Sequence, residues 1–181
     1  MATQGNFVND DITAVNITAD FFFGDGSNLT NLPIPSVVTE ACKAFMSADS
    51  TVNSNATFTQ KNIFPATGAL ALNVGGFSST TSGIDVPSSG IYIIMANMVY
   101  NSTAARVNPE FRFSINGTGQ TERSRGAYIR ATGGHNLSSS SLTTIYNLVA
   151  GDEIGLQFQI AGNTGGTNLE TSSHVAIYRI G

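Results

Sequence analysis

The residues of this chain with the chemistry to act on another molecule are few. His135 and His174 are its two histidines and Cys42 its one thiol. A catalytic thiol wants a basic, partly exposed setting and a histidine partner, and neither imidazole stands at metal-ligand spacing from another His, Cys or carboxylate. Cys42 therefore reads as a small buried hydrophobe. Asp10 and Asp11 form a bare pair near the N-terminus. Asp25, Asp85 and Asp152 fall in turn sequences, where the carboxylate bonds nearby backbone. No Gly-x-Ser-x-Gly, phosphate-binding loop or calcium-binding helix–loop–helix pattern occurs. The chemistry that remains is recognition. Residues 122–130, ERSRGAYIR, hold three of the six arginines beside a tyrosine, and TGGHN follows at 132–136. Two readings stand for this stretch. It is a solvated strand edge with Glu122 paired to an arginine, or a surface on which Arg123, Arg125, Tyr128, Arg130 and His135 meet an acidic glycan or a protein.

Composition says what kind of scaffold positions these groups. Of 181 residues, 11% are charged and 41% apolar, and the net charge is −4. Eight Lys and Arg are too few to neutralise a phosphate backbone, which excludes nucleic acid as a partner. No run approaches the ~18 apolar residues of a membrane-spanning helix. The start, MATQGN, lacks the basic and apolar regions of a secretory signal. Ser, Thr, Asn and Gly are abundant, so the six Asn-x-Ser/Thr triplets arise by chance and, without such a signal, none is read as glycosylated. A route out of the cell by particle assembly and lysis fits these features.

Short runs of Thr, Val, Ile, Phe and Tyr, broken by Gly, Ser and Asn clusters every 8 to 15 residues, predict an all-β antiparallel sandwich. About ten strands are expected, near 40–48, 57–63, 69–74, 83–87, 90–100, 108–115, 127–131, 141–148, 153–160 and 173–180. Asn116-Gly117 predicts a hairpin turn. Residues 1–35 differ: an extended stretch, then Phe21-Phe22-Phe23, a Gly24–Ser27 turn and a Pro-Ile-Pro connector. They read as an extended arm ahead of a head at 36–181. Three consecutive Phe cannot all be buried by one strand. Either the arm packs on its own head, or identical arms or another protein cover it; the second is favoured.

Five short motifs in order carry a family resemblance. They are KAFMSA from 43, IDVPSSGIY from 84, FSING from 113, TTIYNLVAGDEI from 143 and the closing strand at 172–180. Together they resemble the jelly-roll superfamily of tumour necrosis factor and the complement globular head. The second follows its Phe-x-x-Pro-x-x-Gly-x-Tyr segment, with Ile84 where Phe is usual. The resemblance implies an antiparallel jelly roll and a homotrimer. Seven aromatics exceed the needs of one thin sandwich, which places Tyr92, Phe113, Phe158 and Tyr178 as candidates for the subunit interface. Some heads of that superfamily bind calcium near the trimer apex; beyond that option the resemblance implies no cofactor. Separately, the Gly-Asp-Gly-Ser-x-Leu-Thr-x-Leu pattern within 17–32 resembles a segment of phage tail-fibre proteins. It implies a virion protein of a tailed phage, assembled in the host cytoplasm and carried on the particle. Such a protein would decorate the capsid or form part of a tail fibre. The arm would anchor it to other virion proteins through Phe21, Phe22, Phe23, Leu29 and Leu32, and the head would reach a host surface glycan or protein. The alternative is a free trimeric binding module, lectin-like or complement-head-like. Neither reading is an enzyme or inserts in a membrane.

Overall fold

The computed structural model describes residues 40–46, 51–52, 57–162 and 166–180. Within them, runs that alternate β-branched or aromatic residues with polar ones become strands, because alternate side chains must face opposite sides of a sheet. The strands are β1 (Ala41–Phe45), β2 (Thr59–Gln60), β3 (Leu72–Val74), β4 (Ser78–Ser79), β5 (Gly83–Asp85) and β6 (Gly90–Ser102), followed by β7 (Val107–Ile115), β8 (Thr118–Ser124), β9 (Leu137–Leu148), β10 (Glu153–Gly162), β11 (Thr167–Leu169) and β12 (His174–Arg179). The described residues include no α-helix, and so none long and apolar enough to cross a membrane.

All pairings between these strands are antiparallel, in two sheets. The first runs β9-β6-β12-β1-β3, with β11 beside the far half of β6; the second runs β4-β5-β10-β7-β8, with β2 beside β10. This is the antiparallel jelly roll expected from the sequence. β4, β8 and β11 are additional to the expected strands. The expected strand at 127–131 contracts to one bridge between Val107 and Ile129. β8, TGQTERS, has almost no inward apolar residue and so no hydrophobic alternation to read. It forms because Asn116 (φ 50°) and Gly117 (φ 78°) fold it back onto β7, the positive-φ pair that a tight hairpin needs.

The core lies between the sheets. Tyr92, Tyr100, Phe111, Phe113 and Phe158 have no exposed surface, and Phe111 and Phe113 meet edge to face at 6.3 Å. This corrects the interface expectation for Tyr92, Phe113 and Phe158. Enclosed within a single chain, they have nothing left to offer a second subunit. One sandwich takes up all five because each sheet supplies them from its inner face. Tyr178 alone of the four candidates reaches the surface, at 36% exposure.

The outer faces differ in kind. On the second sheet the outward residues of β7 and β10 are polar and tied together. Arg112 donates to Gln157 Oε1 at 3.0 and 2.8 Å and stacks on Phe58, and Ser114 donates to Gln60 at 2.7 Å. The first sheet instead carries large apolar residues on its outer face that the described residues leave uncovered, with Lys43 among them.

Candidate functional site: an apolar sheet face and a basic pocket at the far end

The register of the first sheet lines up one row across five strands. Val74 pairs with Ala41, Ala41 with Tyr178, Tyr178 with Ile93 and Ile93 with Ile145. Leu72 and Met95 flank this row on one side, Ile91 and Ile180 on the other. Exposure is 46% for Val74, 59% for Ile145, 44% for Ile91 and 57% for Ile180. At ~4.8 Å per strand the row is about 20 Å wide. Further along, the outward positions turn mostly polar: Phe45 faces His174, which faces Asn97, which faces Ser141. No strand of the second sheet carries a large exposed hydrophobic residue. Phe45 and Leu137 are exposed beyond this band, but most large exposed apolar residues of the sheet gather within it, and such a concentration marks a covered surface.

That band lies at the end where the chain enters the head. Glu40, almost wholly buried, accepts hydrogen bonds from Tyr92 Oη at 2.7 Å, from Ser88 Oγ and from Arg179 Nη1 at 3.3 Å. Burial pushes its carboxyl upward, but the Ser88, Tyr92 and Arg179 contacts together hold it below the ordinary value.

The opposite end of β6 carries the pocket. Asn101 Oδ1 accepts a 2.9 Å bond from Asn136 Nδ2, and Ser102 N–H donates to Asn136 O. The nine residue steps from Tyr92 to Asn101 separate the two ends by about 30 Å. Two backbone bonds with Val107, 3.1 and 2.9 Å, pin Ile129. Ala127 and Ile129 are buried, so Tyr128 and Arg130 both turn outward. Ser138 Oγ accepts from Tyr128 N–H at 3.0 Å. Gly134, at φ +74°, bends the loop back toward β9. Tyr128, Arg130, His135, Asn136 and Leu137 then line a cavity of about 620 Å3.

The structure thus divides the arginine cluster seen in the sequence. Tyr128, Arg130 and His135 come together. Arg123 and Arg125 do not line the cavity; they lie 3.8 and 3.0 Å from the buried Glu110. Glu122, expected to pair with an arginine, instead accepts from Tyr146 Oη at 3.3 Å. Glu110 takes both arginines because it points outward on β7 next to β8, a pairing that no local spacing announces. Asn136 lies in the 132–136 loop picked out from the sequence, whereas Leu137 was missed; the Gly-Gly before His135 was the one local signal that the loop turns back. Phe21, Phe22, Phe23, Leu29 and Leu32 lie outside the described residues. Cys42 is buried, and burial pushes its thiol up to about 11. His174 lies with its ring tilted against Phe45, centroids 5.7 Å apart, and its Nδ1 is 3.0 Å from Ser172 O. Among the described residues no three His, Cys, Asp or Glu side chains could share a metal ion. Asp152 caps its own turn, with Oδ2 accepting from Val149 N–H at 2.8 Å.

No family model matches the chain, and no curated protein matches it. Solved structures do. Eiger TNF from S. frugiperda is similar with a TM-score of 0.56 at 12% identity, over 79% of this chain and 93% of that one. Murine APRIL, solved at pH 5.0, gives 0.51 at 13%, over 78% of this chain and 100% of that one. At these identities the likeness establishes the fold: a TNF-like jelly roll.

Proposed function

We propose that this chain is a non-enzymatic, homotrimeric structural protein of a tailed-phage particle. Its head is tethered through the residues before 40, and its 128–137 end faces outward. The observation that carries the trimer is the Val74–Ala41–Tyr178–Ile93–Ile145 row and its flanks. Apolar side chains at this exposure cost free energy in water, and a symmetric partner of the same kind removes that cost. A TNF-like fold supports the same assembly. The particle is supported by the tail-fibre-like pattern within 17–32. It is supported as well by the separation between chain entry at Glu40 and the pocket at the far end of β6. The solitary settings of His135, His174 and Cys42 favour binding over catalysis.

A second reading, a free trimeric binding module, draws on the likeness to Eiger TNF, and it predicts the same trimer. Light scattering on the full chain is expected to return three times its 18.9 kDa; a monomer mass at micromolar concentration would refute both. Density-banded particles from the producing host are expected to contain the chain. Its absence from them, with the trimer intact in the free protein, would leave the binding module.

A further inference from the structure

We infer that the Tyr128–Leu137 pocket binds a carboxylate-bearing sugar. Its volume, about 620 Å3, lies within the ~300–1,000 Å3 of small-ligand sites. Its lining contains a cation and no carboxylate. Arg112, Arg123, Arg125 and Arg179 are each committed to a neighbour. Among the described residues the Arg130 guanidinium has no hydrogen bond or ion pair, so its planar fork is free to take both oxygens of a carboxylate. Such a bond is stronger than one between neutral groups and sets the ligand's orientation.

The remaining groups fit a sugar ring better than a bare anion. Tyr128, 52% exposed, and Leu137, 58% exposed, supply apolar walls for the C–H face of a pyranose. Asn136 spends its Nδ2 on Asn101, which holds the carboxamide in place and leaves its oxygen to accept from a hydroxyl. His135 offers a ring nitrogen from the loop. The Ile129–Val107 bridge and the Ser138 bond to Tyr128 hold the walls before the ligand arrives, which reduces the ordering cost of binding. All these residues belong to one chain, so the site does not depend on the trimer. Threefold assembly would add avidity toward a surface that repeats the sugar.

The test is a titration of the 15N-labelled full chain with D-glucuronate, D-glucose and acetate, read from backbone amide shifts. Glucuronate is expected to move Tyr128, Arg130 and Asn136 with a Kd on the order of 1 mM, and to bind at least about tenfold tighter than glucose or acetate. Arg130→Ala and Tyr128→Ala are expected to weaken it about tenfold each. Arg106, also unpaired among the described residues but outside the pocket, is the control, and Arg106→Ala should leave binding unchanged. Equal binding of acetate would reduce the pocket to a simple anion site. Equal binding of glucose would remove the role of Arg130. Equal losses in Arg106→Ala and Arg130→Ala, or no shift with any ligand, would likewise overturn the assignment. Light scattering on the same samples reports the trimer separately.

Discussion

Single residues decide what the entry end of the head tolerates. Glu40 is a buried carboxylate held by Ser88, Tyr92 and Arg179. Its value is lowered in the folded state, so its contribution is full above the unfolded value of about 4.3 and fades as pH falls below it. Glu40→Gln keeps an acceptor but loses the charge facing Arg179. It is expected to cost about 1–3 kcal/mol at pH 7. Denaturant unfolding should show that cost shrinking as pH drops through the ordinary carboxylate range. A cost equal at pH 7 and pH 3 would mean that the carboxylate charge contributes nothing. Cys42, by contrast, has only burial acting on it, and its sulfur serves as packing.

At the level of elements, β10 depends on one missing side chain. A Cβ on Gly155 would come within 2.1 Å of Gln60 Nε2 and 2.7 Å of Ser114 Oγ. Gln60 crosses the strand there, donating to Ser82 O at 2.9 Å and accepting from Ser114 Oγ at 2.7 Å. Gly155→Ala would push Gln60 off and break both bonds, for an expected loss of about 1–3 kcal/mol, readable as a lowered Tm. Gln60→Ala should relieve most of the added strain in the double variant, because the two sites are coupled through this contact. The β9–β10 turn depends instead on backbone conformation: Gly151 sits at φ +87°, and Asp152 bonds the backbone beside it. Both features were legible in the Gly-Asp pair.

For the whole molecule, the apolar row is where the proposed trimer would be broken without unfolding the head. Met95 and Ile145 are exposed, at 36% and 59%, and their side chains point away from the core. Met95→Asp with Ile145→Asp is therefore expected to yield a folded monomer, with unchanged far-ultraviolet circular dichroism and one third of the parent mass by light scattering. Charges buried without partners at an interface cost several kcal/mol each, enough to dissociate a trimer. An unchanged mass would move the subunit contact off this face.

The sequence alone determined whatever depends on neighbours along the chain. Alternation of apolar and polar residues marked most strands, since the pleat has a period of two. Asn116-Gly117 and Gly151-Asp152 marked turns, since few residues tolerate positive φ. The order of short motifs carried the jelly roll. Only the tertiary structure decided which side of each strand is covered and which distant groups meet. Tyr92, Phe113 and Phe158 look in sequence like any strand aromatic, yet the closing of two sheets put all three inside. Arg123 and Arg130 are seven positions apart in one basic run. β7 places Glu110 beside the first, while the Ile129 bridge and the Gly134 bend carry the second into a pocket. Pairing between strands distant in sequence sets these outcomes, because register, not composition, decides which side chains share a row.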